Sequence, residues 1–137
     1  MYCIVESWVP ARRLIGVVDD DESVREATKG LMRSLGFAAE AYASAKDFLA
    51  SPDLGRIACL IADLNMPEMS GIELHGHLVA TGQNIPTVLI TAYPDEDVRA
   101  RALNAGVICY LTKPFAEDDL LACIRSALPD LRPAGQS

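Results

Sequence analysis

The stretch LIGVVDDD, residues 14–21, places three adjacent carboxylates directly after five apolar residues. A strand of this composition is typical of a sheet that is buried on both faces, so we expect Asp19, Asp20 and Asp21 at its rim. Like charges at this spacing repel one another, and a hard cation relieves the repulsion. Because magnesium prefers carboxylate oxygen ligands, the stretch predicts a magnesium site at the end of the first strand.

The same pattern, an apolar run followed by a polar side chain, occurs three more times along the chain. The runs are residues 59–62, 87–90 and 107–111, and the polar residues that follow them are Asp63, Thr91 and Thr112 with Lys113. In open α/β sheets, ligands bind at the carboxyl ends of the strands. We therefore expect these polar side chains to meet at one edge of a sheet.

Strand-like and helix-like segments alternate through the sequence. The predicted strands are residues 14–18, 37–42, 58–62, 87–91 and 107–111, and the predicted helices are residues 22–35, 44–51, 72–81, 94–104 and 117–128. Five such βα units predict a parallel sheet with right-handed crossovers and helices on both faces. The fold class is therefore α/β.

Composition limits the possible functions. A chain of 137 residues, half of them hydrophobic and 23% charged, is typical of one globular domain. The net charge of −7 argues against direct nucleic-acid binding, which needs a basic face. No apolar stretch approaches the roughly 18 residues of a membrane span, and residues 1–13 do not have the pattern of a signal peptide. These observations favour a cytoplasmic protein that does not bind membranes.

The βα pattern gives the expected domain boundaries. It covers residues 14–128, so residues 1–13 are interpreted as an N-terminal extension of unknown role. Pro129 and Pro133 mark residues 129–137 as a frayed C-terminal tail.

The cysteines and histidines do not form a recognisable metal motif. Cys3, Cys59, Cys109 and Cys123 contain no CxxC pair, and we interpret Cys59 and Cys109, which lie in apolar runs, as small core residues in a reducing cytosol. His75 and His77 are two residues apart on a predicted helix, so they do not share a face. We expect them on the solvated surface.

Four segments in this order, VVDDDESVR, ADLNMPEMSGIEL, LITAY and YLTKPF, together resemble the receiver domain of bacterial two-component response regulators. The resemblance covers residues 14–128 and implies a flavodoxin-like fold with a five-stranded parallel sheet in the order 2-1-3-4-5. The local sequence of these segments is similar to that of receivers that precede a helix-turn-helix output domain. Any such domain is expected to lie outside this chain.

The resemblance implies an acidic phosphorylation site. Asp63 matches the phosphoacceptor, and Asp19 and Asp20 match the acid pair that holds Mg²⁺. Asp20 matches the direct ligand, while Asp19 acts largely through bound water. Asn65 matches the position whose backbone carbonyl completes the metal shell, with Asp63 as a further ligand.

The resemblance also implies the groups that surround the phosphoryl group. The Thr91 hydroxyl donates to a phosphoryl oxygen beside the small Ala92, and Lys113 pairs with the phosphoryl charge. A cis peptide bond between Lys113 and Pro114 aims this lysine inward. Thr91 and the aromatic Tyr110 match the switch positions. Phosphoryl transfer needs this combination of an in-line nucleophile and neutralised charge.

Regulation and partners follow from the same resemblance. Asn65 and Tyr93 are expected to modulate the rate of dephosphorylation. Residues 94–128 are expected to form the output surface, and a possible homodimer would use that face. The phosphoryl donor would be a histidine kinase or a phosphotransfer protein, and a downstream protein target would read the result. Such a domain catalyses only its own phosphorylation and dephosphorylation.

Two other functions fit parts of the sequence. In an aspartate-nucleophile hydrolase of the haloacid dehalogenase type, Asp19 would be the nucleophile of a D-x-D motif. Thr91, Lys113 and Asp118 or Asp119 would then supply the later motifs, but the MPEMSG loop, residues 66–71, stays unexplained. The second alternative is a receiver-like interaction module that is never phosphorylated. Asp21 is interpreted as a helix N-terminal residue and not as a ligand.

Overall fold

The structure is a computed structural model, and it describes residues 14–127. The extension at residues 1–13 and the tail at residues 129–137 lie outside the described residues, as does Leu128. Within residues 14–127, no helix is both long enough and apolar enough to cross a membrane.

Strands and helices alternate as the sequence predicts. The strands are β1 (Leu14–Val18), β2 (Ala38–Tyr42), β3 (Ile57–Asp63), β4 (Thr87–Thr91) and β5 (Cys109–Thr112). The helices are α1 (Glu22–Ser34), α2 (Ala45–Leu49), α3 (Gly71–Ala80), α4 (Glu96–Asn104) and α5 (Glu117–Ala127), with a short 3-10 turn at Leu54–Arg56. All neighbouring strands are parallel and their order is β2-β1-β3-β4-β5, so the predicted fold class is confirmed.

Two hydrophobic cores cover the two faces of the sheet. Successive side chains of a strand point to opposite faces, so Ile15 and Val17 join the core beneath α1 and α5, where Met32 is fully buried. Val18 joins the other core, beneath α2, α3 and α4, around Phe48. Because both faces of the central strands β1, β3 and β4 are covered, their polar side chains concentrate at the strand ends.

Side-chain caps fix where the helices begin. Asp21, at the start of α1, accepts a hydrogen bond from the Val24 amide at 3.2 Å. Ser44, at the start of α2, accepts one from the Asp47 amide at 3.0 Å. Asp21 is therefore a helix N-cap, as the sequence indicates.

The predicted start of β2 is wrong by one residue. Phe37 donates its backbone N–H to the Met32 carbonyl at 3.0 Å, and this bond closes the end of α1. Gly36 just before it has φ 96°, a left-handed conformation that glycine adopts without strain. The backbone therefore becomes a strand only at Ala38.

Two predictions about single side chains are wrong. His75 is buried, because it shares with Leu74 and Leu78 the face of α3 that packs on the sheet, whereas His77 is exposed as expected. Burial lowers the pKa of His75. Cys109 is half-buried instead of a core residue, and it forms a disulfide with Cys123 of α5. Cys59 is fully buried, as expected.

Gly71 is expected to be intolerant of a side chain because α3 starts directly against the sheet. A Cβ there would lie 2.7 Å from Leu89 Cδ2 and 2.8 Å from the Asp63 carbonyl oxygen. Gly71→Ala should therefore lower the free energy of unfolding by about 1–3 kcal/mol, as overpacking does. Gly76→Ala, on the exposed face of α3, meets nothing within 4 Å and should raise it by about 0.5–1 kcal/mol. Urea unfolding measures both, and a Gly71→Ala protein as stable as the unchanged chain would contradict this packing.

Candidate functional site

The polar residues that follow the apolar runs meet at the carboxyl edge of the sheet. Asp19 and Asp20 follow β1, while Asp63 and Thr91 are the last residues of β3 and β4. One carboxylate oxygen from each of Asp19, Asp20 and Asp63 lies within 4.8 Å of the others. Asp19 and Asp63 are only 4% and 6% exposed, whereas Asp20 is open to solvent. The edge is thus a compact acidic pocket with one exposed wall.

Lys113 supplies the positive charge of this pocket. Its ammonium Nζ lies 3.2 Å from Asp19 Oδ2 and 3.5 Å from Asp63 Oδ2. The Lys113 N–H donates to the Thr91 carbonyl at 2.8 Å, which continues the pairing of β4 with β5 to the end of the strand. The Lys113–Pro114 peptide bond is cis, as the resemblance implies. Lys113 therefore bridges the two buried carboxylates.

Burial and charge shift two pKa values in the pocket. Burial raises the pKa of Asp63, and the charge of Asp19 raises it further, while the Asn65 amide and Lys113 oppose the rise. Burial lowers the pKa of Lys113, but its contacts with Asp19 and Asp63 outweigh burial and leave that pKa raised. Lys113 is therefore held firmly in its charged form. Any further positive charge near Asp63 would stabilise its ionised carboxylate.

Thr91 is held by the side chain of Asn65, a contact that the sequence did not predict. Its hydroxyl donates to Asn65 Oδ1 at 2.6 Å and accepts from the Tyr93 amide at 2.9 Å. The Asn65 amide in turn donates to Asp63 Oδ1 at 3.1 Å. Asn65 thus links the carboxylate at the end of β3 to the hydroxyl at the end of β4. No sequence spacing indicates this bond, since the two residues are 26 positions apart.

Arg25 is a residue of the site that sequence reasoning missed. From α1, its guanidinium Nη1 donates to the Asp19 carbonyl at 2.9 Å, while the Asp21 amide donates to Asp19 Oδ1 at 2.9 Å. Asp19 is therefore held at both its backbone and its carboxylate. The only sequence signal that could have indicated Arg25 is its position, one turn into a helix that starts at the acidic cluster.

Tyr93 and Tyr110, the two tyrosines with predicted roles, differ in their burial and contacts. Tyr110 of β5 is half-buried against the core on the α4 side, and its hydroxyl accepts a hydrogen bond from the Asp95 amide at 3.3 Å. Asp95 is the N-cap of α4, so this bond ties β5 to the start of that helix. Tyr93 is 73% exposed in the loop between β4 and α4.

Comparison with known proteins identifies the class that this fold and site define. The family model described as the response regulator receiver domain matches residues 15–125. The chain is 44% identical over 117 residues to the response regulator protein TmoT of Ectopseudomonas mendocina, covering 84% of this chain and 52% of TmoT. It is 37% identical over 114 residues to the transcriptional regulatory protein FixJ of Rhizobium meliloti, covering 82% of this chain and 55% of FixJ.

Solved structures agree with this class. The response regulator StyR matches with a TM-score of 0.80 at 44% identity, covering 87% of this chain and 60% of StyR. FixJ-N matches with a TM-score of 0.78 at 35% identity, covering 86% of this chain and 94% of FixJ-N. The chain belongs to the receiver domain family of bacterial two-component response regulators. It spans about half the length of the curated relatives it matches.

Membership of this family separates a receiver from the hydrolase that the sequence left open. Receiver domains are signalling modules and not classical enzymes, and the family binds Mg²⁺ at an acidic pocket. The hydrolase alternative is not supported. Among the described residues, the acidic cluster contains Asp19, Asp20 and Asp63, while Asp118 and Asp119 are exposed in the first turn of α5.

Asp63→Asn is expected to be more stable than the unchanged chain at about pH 7 without divalent metal. Because the folded state raises the pKa of Asp63 above 3.8, it binds that proton more tightly than the unfolded chain does. Ionisation therefore costs stability as pH rises from about 3.8 through the folded pKa, and the cost persists above it. The advantage of the variant should vanish toward about pH 3.

Urea unfolding in the presence of a chelator, across this pH range, measures the effect. Glu96→Gln removes an exposed carboxylate from the first turn of α4 and should show no comparable gain. An Asp63→Asn protein that is less stable than the unchanged chain at about pH 7 would contradict the electrostatic description of the pocket.

Proposed function

We propose that this receiver takes a phosphoryl group onto Asp63, with Mg²⁺, and thereby switches a protein-interaction surface. The donor would be a histidine kinase or a phosphotransfer protein of a two-component system. The observation that carries the proposal is the Lys113 ammonium, which lies between Asp19 and Asp63 in a pocket with one exposed acid, Asp20. Such a pocket has a nucleophile, a fixed cation and room for further charge neutralisation.

Asp63 has the properties of a phosphoryl acceptor. A carboxylate oxygen attacks phosphorus, the P–O bond forms, and the P–N bond to the donor histidine breaks. The transferred group carries its charge on the equatorial oxygens, where Lys113 can pair with it from the adjacent strand end. With Asp63 only 6% exposed, this charge pairing takes place where water screens it weakly.

The donor set of the pocket suits magnesium. Asp19, Asp20 and Asp63 offer hard carboxylate oxygens within a space that fits one small cation. The backbone carbonyl of Asn65 is the further oxygen that we propose for the metal shell. Mg²⁺ takes few protein ligands and keeps several waters, which suits one exposed carboxylate beside two buried ones. When bound, the ion would neutralise the charge of the carboxylates and of the incoming phosphoryl group.

A phosphoryl group on Asp63 would compete for the Thr91 hydroxyl. That hydroxyl now donates to Asn65, and a dianion is a stronger acceptor than an amide oxygen. Movement of Thr91 toward the phosphoryl group would displace the start of the loop that leads into α4. The Asp95–Tyr110 bond at the other end of this loop would then break, which lets Tyr110 turn inward.

The output surface would comprise α4, β5 and α5, within residues 94–128. Acidic and basic side chains lie together on α4 and α5, and mixed charge of this kind sets partner choice and register. The partner reading this surface would be a downstream target, an output domain outside this chain or a second copy of the receiver. We further propose that the protein works in the cytoplasm and that residues 14–128 fold as one unit.

Phosphorylation is expected at Asp63 alone. Acetyl phosphate with Mg²⁺ should add one phosphoryl group in an intact-mass measurement, and Asp63→Asn should abolish the gain while keeping the fold. Asp118→Asn removes an exposed acid from α5 and should leave the gain unchanged. A phosphopeptide that contains Asp19 would support the hydrolase alternative, and no gain in any protein would leave an unphosphorylated interaction module.

Asp20→Asn is expected to lose the stabilisation by magnesium. An ion that binds only the folded state stabilises it by about 1.4 kcal/mol for each tenfold rise above Kd. Without metal the variant should be no less stable, because it removes one of three clustered acids. Thermal melting with and without Mg²⁺ measures both effects, with Glu96→Gln as a control that keeps the response. A response that survives in Asp20→Asn would refute the ligand assignment.

Tyr93→Ala is expected to speed autodephosphorylation. The Tyr93 amide bonds to the Thr91 hydroxyl and the residue is exposed, so we propose that its ring hinders the attacking water. The decay of the phosphorylated protein after donor removal measures this rate. Val79→Ala also removes an exposed hydrophobic side chain, but from α3, and should leave the rate unchanged. Equal decay in Tyr93→Ala and the unchanged chain would rule out this role.

A further inference from the structure

Two cysteines join the edge strand of the sheet to the last helix. Cys109 is the first residue of β5 and Cys123 lies in the middle of α5, and the two form a disulfide with their Cα atoms 6.1 Å apart. This Cα separation is within the usual range for a disulfide. Only 14 positions separate the two residues, and the loop that they close contains Lys113.

We propose that Cys109 and Cys123 form a reversible thiol–disulfide site that a low-molecular-weight disulfide oxidises, and that the bond fastens α5 to β5. The reversible character rests on the cytoplasmic function proposed above. In a reducing compartment, a disulfide is transient and serves as a redox sensor more often than as a structural link. The formation of the bond depends on the two thiols and on the small disulfide that oxidises them.

Accessibility supports reaction at this pair. Cys109 is half-buried on the edge strand β5, so it is partly open to solvent, and its partner Cys123 is 7% exposed. Cys59 provides the contrast within the same molecule. It is fully buried in β3, and burial raises its pKa to about 12, so it has almost no thiolate at neutral pH.

The reaction is a two-electron thiol–disulfide exchange. The Cys109 thiolate attacks one sulfur of the small disulfide, which releases one small thiolate that takes up a proton. The Cys123 thiolate then attacks the Cys109 sulfur of the mixed disulfide and releases the second small thiol. The protein pair is oxidised to one disulfide, and the small disulfide is reduced to two thiols.

The position of the bond predicts its structural effect. β5 is paired on one side only, with β4, so within the described sheet its other edge carries no strand. Cys109 and Leu111 face the core beneath α5, whereas Tyr110 between them faces the core on the α4 side. A covalent link from Cys109 to α5 therefore restrains the strand that carries Tyr110 from the opposite face of the sheet.

Oxidation of the reduced protein by glutathione disulfide tests the site. The full chain with Cys3→Ala is reduced, desalted and incubated with glutathione disulfide while folded, and free thiols are then alkylated for peptide mapping. We expect a linked Cys109–Cys123 peptide, with Cys59 alkylated only after denaturation. Cys59→Ala should keep the link, and Cys123→Ser should instead carry glutathione on Cys109. Alkylation of both Cys109 and Cys123 after the incubation would overturn the proposal.

Two further measurements complete the test. Closing a loop of this length should raise the Tm of the oxidised protein by roughly 5–10 °C over the reduced form, and Cys109→Ser should show no such shift. An oxidised protein with the link but an unchanged Tm would overturn the fastening of α5. Asp63→Asn should form the link normally, so loss of phosphorylation and loss of the redox reaction are distinguishable.

Discussion

Two buried carboxylates that face each other across a sheet edge, with one ammonium between them, are the interaction on which the rest of this structure depends. Asp19 and Asp63 are nearly inaccessible to water, and Lys113 contacts both. Charges in such a place are stable only when they are paired and hydrogen-bonded. The other contacts around the pocket supply this support: Arg25 and the Asp21 amide hold Asp19, and the Asn65 amide holds Asp63.

This constraint also underlies the switch that we propose for the pocket. The negative charge is not fully neutralised by Lys113, since the pKa of Asp63 stays raised by burial and by Asp19. A cation and a phosphoryl group add charge and form hydrogen bonds of their own. They therefore change which hydrogen-bond partner is favoured for each side chain of the pocket. Thr91 is the clearest case of a group with two alternative partners, because its hydroxyl now bonds to Asn65 and a phosphoryl oxygen on Asp63 would compete for it. A ligand shifts such an equilibrium only by its differential affinity for the two arrangements.

Much of the fold and the location of the site could be predicted from the sequence. Apolar runs that end in polar residues locate parallel strands, and parallel strands place their carboxyl ends at one edge, so Asp19, Asp63 and Lys113 could be brought together without coordinates. The Asn65–Thr91 bond depends on the geometry of a loop. The burial of His75 depends on which face of α3 meets the sheet, and the Cys109–Cys123 pair depends on how α5 lies over β5. Periodicity within one element contains none of this information.

Amide hydrogen exchange with and without beryllofluoride and Mg²⁺ tests the central claim most directly, because beryllofluoride mimics a phosphoryl group on the acceptor aspartate. We predict stronger protection around Asp63 together with altered exchange at the Asp95 amide, which now bonds to Tyr110, and along α4 and β5. Asp63→Asn should show neither change. Changes confined to the pocket, with none at Asp95 or around Tyr110, would contradict the claim that charge at Asp63 controls the face formed by α4, β5 and α5.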